Sequence, residues 1–511
     1  MSTQAIIGID VGTTAVKSVI LSTTGLVLGS ARAEVAVDRP SHNRAEQDMD
    51  LMWSTAADTI TTALAEAGDV ELLAVSVTGQ GDGAWLVDAA GRPTRPAALW
   101  LDGRGAKRLL TWQDDGRAQA VRDITGSALF PGALPLLLEE IEAEDPQRIA
   151  ASAHQLNCKD WIRFRLTGTI ATDPTEASRT YLDVRTGQYS TALIDSLGHE
   201  RFARLLPPVA ESTTVAGTVT EEAAALTGLP VGLPVAIGMV DTPVGGLGLG
   251  VTGPGRAYAI IGTTSFVGAI STEVSASGDE PVITLSFDGH GSVLECFAPM
   301  NGTPNLDWAT HTLDLAELDW DEIEAIAAEA PPGAGGVIYL PYASANGERA
   351  PFVDPDASAA WLNLSSCTTR SQMVRAVYEG LAQSLRESMD RLGIETEAIV
   401  RLSGGGAKSP TICQALADVT GRTIERSRDA ELGARGSAAL ALVAIGAHPD
   451  LESAMSALAT DSERFHPSPA TREIYDEQAA VFTATRDALR TQWSALRRLR
   501  DHSHTLEKGH S

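Results

Sequence analysis

The chain is 511 residues long and carries 66 Asp and Glu against 39 Lys and Arg, a formal net charge of −27 at pH 7. That balance excludes nucleic acid and an anionic membrane surface as partners, and it suits a neutral small molecule better than an anionic one. A hydrophobic content of 43% with 21% charged residues excludes a disordered or coiled-coil chain, and the length exceeds one compact core, which predicts two large domains with a site between them.

Along the chain, Ala5–Asp10 reads as an Ile-rich strand broken by Gly12, Thr13 and Thr14. Ala15–Leu21 resumes the strand, Thr23-Thr24-Gly25 turns, and Leu26–Val37 continues a β-meander. Leu51–Ala67 has helical spacing and Leu72–Thr78 is an apolar strand, so the class is α/β. The second half opens in the same way: Ala257–Gly262 is a strand, Thr263 and Thr264 follow, and Phe266–Ile270 resumes. An apolar strand, Gly-Thr-Thr and a second apolar strand thus occur twice, which predicts a duplicated unit with a phosphate-facing hairpin in each copy. The glycine-dense stretch 245–255 marks the boundary, giving domains at 1–247 and 248–490. Arg370–Arg391 and Thr411–Thr420 read as helices, Ile399–Leu402 as a strand and Gly433–Gly446 as an Ala-rich helix. Residues 491–511 read as a polar tail, frayed from about Ala495, with His502, His504 and His510 at its surface. Cys158, Cys296, Cys367 and Cys413 form no C-x-x-C pair, and Met1–Asp10 has neither a basic nor a long apolar segment, so the expected setting is a reducing cytoplasm without a signal peptide. No apolar run reaches membrane-spanning length.

Four segments can carry chemistry. In the first, Asp10 ends a strand and is followed by Gly12, Thr13, Thr14 and Lys17; backbone N–H groups and hydroxyls there suit a phosphate, and the carboxylate suits Mg²⁺. The Walker pattern is absent, because Ala407 stands where the run Gly404-Gly405-Gly406-Ala407-Lys408-Ser409 would need its last glycine. In the second, the strand Val235–Ile237 leads through Gly238 to Asp241, with Pro243 placed for the first turn of a helix; an ionised Asp241 at such a corner, at the N-cap, suits a catalytic base. Gly248-x-Gly250-x-x-Gly253 has dinucleotide spacing, but Pro254 follows at once and no helix is expected to open there. The third segment is Ser403–Ala407, where three glycines let backbone approach a flat or anionic ligand. The fourth joins Gln80, Asp82 and Trp85 to Trp100, Asp102 and Arg104, polar groups and Trp that suit a polyol.

Together the segments GIDVGTT, TGQGDG, ALWLDGR, GMVDTPVGGLG, IIGTTS, PYASANGERAPFVDPDA, RAVYEGLAQSLR and SGGGAKSPTICQALAD resemble, in order, the FGGY family of carbohydrate kinases, over residues 5 to about 445. The resemblance implies two actin-like, ribonuclease-H-like domains around a cleft, with ATP and Mg²⁺, and phosphoryl transfer to a hydroxyl of a small ketose or polyol. Position by position it makes Asp10 the metal and phosphate Asp, Asp241 the base and a second metal contact, and Gly12, Thr13, Thr14 and Lys17 the first phosphate loop. Gly262, Thr263 and Thr264 match the second loop; Gly405, Gly406 and Ala407 match the adenosine motif. Gln80, Asp82, Trp100, Asp102 and Arg104 fall in the sugar segments. Gly81-Asp82 stands where xylulokinases carry Met-His, and Gly-Gln-Gly-Asp-Gly resembles erythritol-type polyol kinases; Ala359 and Asn363 stand where the family has Gly. A homodimer is the base-rate expectation. The alternatives are an actin-like ATPase and a sugar sensor that does not phosphorylate sugar.

Overall fold

Apolar, β-branched runs pair across short turns to give two hairpins, each near the centre of a large sheet. In the computed structural model, which describes residues 2–274 and 281–508 (residues 504–508 by backbone alone), β1 (Thr3–Val11) turns at Gly12 and returns antiparallel as β2 (Ala15–Ser22). Asp10 lies opposite Lys17, and the Gly12 N–H donates to the Ala15 carbonyl at 2.9 Å. β3 (Val27–Glu34) extends the meander. Helix α1 (Met49–Ala67) follows, capped by the Asp48 carboxylate, which accepts from two backbone N–H groups in its first turn, and β4 (Val70–Gly79) returns parallel to β1. Helix α2 (Cys158–Thr167) packs beneath β4; β5 (Val215–Thr218) and β6 (Pro234–Ala236) complete a sheet of order β5-β6-β4-β1-β2-β3, and α3 (Asp241–Gly248) leaves β6 toward the second half.

The second sheet repeats the plan. β7 (Ala257–Ile261) and β8 (Ser265–Ser271) form the hairpin, with the Gly262 N–H on the Thr264 carbonyl at 3.0 Å. β9 (Ile283–Ser286) and β10 (Val293–Phe297) add antiparallel strands. After α4 (Arg370–Arg391), opened by a reciprocal Thr369–Gln372 cap, β11 (Ile399–Ser403) returns parallel to β7. α5 (Pro410–Thr420), β12 (Thr423–Ser427) and, after two further helices, β13 (Ser462–Phe465) give the order β9-β10-β8-β7-β11-β12-β13. Each hairpin therefore pairs in parallel with the strand that follows a helical crossover, so the Gly-Thr-Thr echo marks a repeated structural unit. No helix opens at Gly248–Gly253, as its Pro254 led one to expect.

Two helices of the second half reach back. α6 (Leu432–Ala444) and α7 (Leu451–Ala457) bury Ala434, Ala438, Ala441, Leu442 and Met455 against Ile6, Val19, Leu21 and Ala74 of the first sheet. Each large apolar side chain so buried contributes about 1.5–3 kcal/mol. α6 also crosses α3 at backbone contact: a Cβ on Gly436 would lie 2.3 Å from the Val244 carbonyl oxygen, and one on Gly248 would lie 2.2 Å from that of Leu432. Only glycine permits that approach.

Two sequence expectations need correction. The stretch 491–511 is no frayed tail over its described part: α8 (Arg472–Lys508) runs through it, with Trp493 buried against Tyr342 and Phe352 and Arg497 within 3.4 Å of Asp356. His502 is exposed; the side chain of His504 and all of His510 lie outside the described residues. Asp241 is not the N-cap but the first helical residue, with Val240 as a cap that offers no side-chain bond. Asn363, in a position where the resemblance expects Gly, takes φ 61° and donates from Nδ2 to the Gly336 carbonyl at 3.0 Å, a conformation Asn tolerates. Among the described residues no helix is long and apolar enough to cross a membrane.

Candidate active site

α3 and α6 lie between the two hairpins, and the two acidic candidates sit on or beside them. Asp10, at the end of β1, is reached by the first turn of α6; a Cβ on Gly433 would come within 2.6 Å of its Oδ2. Burial pushes the Asp10 carboxyl up to about 6, the Lys17 ammonium opposes that shift, and Glu431 adds to it. Asp241, at the start of α3, is exposed, although surrounding protein still desolvates its carboxyl. That desolvation, then the charge of Asp10, pushes its carboxyl up to about 7 against the hydroxyl and N–H of Thr242; Asp82 adds a little more.

These shifts have a stability signature. Both carboxyls bind protons more tightly folded than unfolded, so their charged forms cost stability as pH rises through about 6 to 7, and the cost vanishes at low pH where both states are protonated. Asp241→Asn should therefore raise the melting temperature of the ligand-free protein at pH 8 and change it little at pH 4. Scanning calorimetry at the two values checks this; equal shifts at both would rule out the desolvated charge as the cause.

A polar chain joins the first phosphate loop to the sugar segments. The Thr13 hydroxyl donates to Gln80 Oε1 at 2.9 Å and accepts from Trp100 Nε1 at 3.1 Å. Gln80 Nε2 donates to Gln47 Oε1 at 2.7 Å, and Gln47 Nε2 returns to the Thr13 carbonyl at 2.8 Å. Gln80 and Trp100 are thus brought together as expected, with Thr13 as their link. Thr14 is exposed. Lys17 does not point its charge free toward a ligand: its Nζ lies 2.6 Å from Glu431.

Asp82 takes φ 63° and faces Arg179, whose Nε lies 3.3 Å from both carboxylate oxygens. Burial raises the Asp82 pKa and Arg179 pulls against it. Arg179 also stacks on Phe130 at 5.3 Å. Beneath them the buried Glu176 has no hydrogen-bond partner for either oxygen among the described residues, and burial holds its carboxyl well above the ordinary range. Gly81 has no room for a side chain: a Cβ there would meet Val240 Cγ2 at 2.6 Å.

Asp102 and Arg104 are placed otherwise than the sequence led one to expect. Both are buried; Arg104 bonds Asp102 through Nε at 2.7 Å and Nη2 at 2.9 Å, and also reaches Glu46 and Glu144. Asp102 Oδ2 accepts in addition from the Ala45 N–H. Their polar groups are spent on each other and on the chain around Glu46, so they brace the loop of Trp100 rather than offer groups to a ligand.

On the other side, Thr263 is exposed, Gly262 and Thr264 are half-buried, and the Gly262 carbonyl accepts from the Thr303 N–H at 2.8 Å. Gly404 (φ 96°) lies against the Ile261 carbonyl, so the triple glycine borders the second hairpin directly. Gly405 faces open space, whereas Gly406 and Ala407 turn inward and the Ala407 carbonyl accepts from Arg426. Of the expected adenosine motif, Gly405 alone presents bare backbone outward.

Residues that the sequence passes over hold the backbone just before Asp241 in place. Lys159 lies 2.7 Å from Asp160 and 2.9 Å from Asp173, all fully buried, and Arg163 pairs with Asp160 at 3.1 Å. Asp173 accepts from the Thr175 hydroxyl at 2.6 Å, which accepts from the Val240 N–H at 3.0 Å, one residue before Asp241. The run Asp173-Pro-Thr-Glu-Ala-Ser-Arg179 reads locally as an N-cap and a short charged helix, and only the fold shows its contact with Val240.

Known proteins match this arrangement over most of its length. The family model described as FGGY family of carbohydrate kinases, N-terminal domain, matches residues 5–248, and that of the C-terminal domain matches residues 257–445. The chain belongs to the FGGY family of carbohydrate kinases. An erythritol kinase of Brucella abortus is 31% identical over 96% of the chain and 97% of that protein; a xylulose kinase of Klebsiella pneumoniae is 31% identical over 86% and 90%. The crystal structure of xylulose kinase from Rhodospirillum rubrum superimposes with a TM-score of 0.86 at 27% identity, covering 96% of this chain and all of that one. This FGGY kinase therefore has the two-domain, actin-like α/β fold. It is a phosphotransferase with an alcohol group as acceptor, acting on a sugar or polyol with ATP.

Proposed function

We propose that this FGGY kinase phosphorylates a small linear polyol of the erythritol type, and that Asp82 is the group that selects it. The observation that carries this reading is the Gly81–Asp82 corner: a glycine closed to any side chain, followed by a carboxylate held by Arg179 at 3.3 Å. A carboxylate held in place accepts hydrogen bonds from substrate hydroxyls and has no donor of its own for a ketose carbonyl. The 31% identity to an erythritol kinase over nearly the whole of both chains supports it.

In this reading Gln80 and Trp100 line the substrate, Asp102 and Arg104 brace Trp100, and Asp241 takes or orients the proton of the reacting hydroxyl. Gly12, Thr13 and Thr14 in one domain (1–247) and Gly262, Thr263 and Thr264 in the other (248–490) hold the phosphates, with Gly405 against the adenosine and Gly406 and Ala407 behind it. Lys17 acts through Glu431 to set the charge around Asp10. Asp10 and Asp241 fit Mg²⁺, a cation that takes one or two carboxylates and completes its shell with water and substrate phosphates; two carboxyls pushed up to about 6 and 7 are a pair that a divalent cation relieves. When bound, Mg²⁺ would neutralise charge on the β- and γ-phosphates. The four unpaired cysteines support a reducing, cytoplasmic setting.

An ATP-coupled assay over erythritol, D- and L-xylulose, D- and L-ribulose, glycerol and the pentitols tests the substrate. Erythritol or a near relative should give the highest kcat/KM, and Asp82→Ala should lower it by roughly 10²-fold, as expected when a charge-assisted hydrogen bond worth about 1.5–3 kcal/mol is lost. Preference for a ketulose, or an Asp82→Ala variant of unchanged selectivity, would overturn the assignment.

A further inference from the structure

A cavity of about 190 Å³ lies away from the cleft, behind the α3–α6 crossing. Its walls come from the end of α3 and from the second half: Gly248 and Gly250 at the C-terminal end of α3, Arg401 of β11 and Ser427 of β12 at the second sheet, and Ser456 of α7. The charges around it are unevenly matched. Arg256 spends its guanidinium on Glu452 at 2.7 Å and the Gly250 carbonyl at 3.1 Å, and Glu425 is held by Arg464 at 2.6 Å. Arg401 makes no hydrogen bond among the described residues: Glu425 lies 3.7 Å from it, beyond hydrogen-bond length, and Glu452 acts on it only through its charge. The lining thus holds two guanidinium groups and two carboxylates, and Arg401 is the guanidinium left without a hydrogen bond among the described residues. At the rim the exposed Ser456, Thr460 and Ser462 hydroxyls have no partner among the described residues.

We propose that this cavity is a regulatory site for a small phosphate monoester, anchored by Arg401 and the rim hydroxyls and read out at the active site through α3. A guanidinium with spare donors matches phosphate oxygens in a forked pair, and hydroxyl donors complete the shell. The volume lies below the roughly 300–1,000 Å³ of sites for larger ligands, which excludes a nucleotide. One end of α3 forms the cavity wall and the other end is Asp241; eight helical residues span only about 12 Å. The same helix crosses α6 without side-chain clearance, and α6 abuts Asp10. A ligand that bridges the α3 end and the second sheet binds one relative setting of these parts better than another, and so biases it. This goes beyond the kinase reading, and its binding step does not depend on that reading.

The test is titration calorimetry of the full chain with glycerol 3-phosphate and, separately, inorganic phosphate, in the presence of a saturating non-hydrolysable ATP analogue, with kcat and KM measured alongside. The expected result is saturable binding that shifts kcat or KM, weakened by about tenfold or more in both Arg401→Met and Ser456→Trp, while each variant keeps its basal kcat within roughly twofold. Equal affinity for the two probes would make phosphate alone sufficient; tighter binding of the ester would show that the polyol part is read as well. Absence of saturable binding, its loss on adding the nucleotide analogue, affinity undiminished in both variants, or binding without any change in kcat or KM would overturn the proposal.

Discussion

Asp241→Asn should cut kcat by roughly 10²–10⁴-fold while nucleotide binding stays largely intact, the loss expected when a positioned proton acceptor is removed. The substitution keeps the volume and the helix start and removes only the charge. A carboxyl pushed up to about 7, as that of Asp241 is, matches what a proton acceptor near neutral pH needs. The wild-type kcat/KM should consequently fall as pH drops below about 7, because the acid form cannot accept the substrate proton, and this limb should be absent from the residual activity of the Asn variant. Steady-state rates between pH 5 and 9, with nucleotide affinity measured separately by calorimetry, decide the matter. Wild-type-like turnover in the variant would remove Asp241 from the mechanism.

Lys159→Met should destabilise the first domain by about 3–5 kcal/mol, the cost of stranding a buried carboxylate. Burial pulls the Lys159 ammonium down, yet Asp160 and Asp173 outweigh it and hold its pKa above the usual value; burial pushes Asp160 up, and Lys159 and Arg163 more than reverse that. Removing the ammonium leaves Arg163 to serve Asp160 and strips Asp173 of its ionic partner. Because Asp173 supports Thr175, and Thr175 the Val240 N–H, the protein that remains folded should also turn over more slowly. Urea denaturation midpoints of the two proteins measure the first effect, and kcat corrected for folded fraction the second. A change below about 1 kcal/mol would show that the cluster re-pairs without Lys159.

The sequence revealed the repeated hairpin because apolar strands and Gly-Thr-Thr turns are local signals, and α4 was bounded correctly at both ends because the Thr369–Gln372 cap and its apolar face agree. Lys17 was misjudged for the opposite reason. A lysine after a glycine turn reads as a phosphate ligand, and its partner, Glu431, lies 414 positions away. Asp102 and Arg104 carried the composition of a polyol site, but only the fold shows that they satisfy one another and Glu46. Arg179 and Glu176 were passed over because nothing near them in the chain announces that they meet Asp82 and Gly81. The last helix resembled a tail because Phe482, Leu489 and Trp493 are spread thinly among charges, and one buried Trp held by a distant loop is invisible to periodicity.

The return of α6 and α7 onto the first sheet fixes the order in which the molecule can be finished. Ile6, Val19, Leu21 and Ala74 are synthesised before the alanines and leucines that cover them, which lie more than 350 positions further along the chain. Throughout that interval of synthesis the sheet bearing Asp10 has one bare apolar face. The first domain therefore closes only after α6 and α7 have been made, a nascent chain halted before Leu432 would keep that face open to aggregation, and a chaperone that grips apolar strands would find its substrate there.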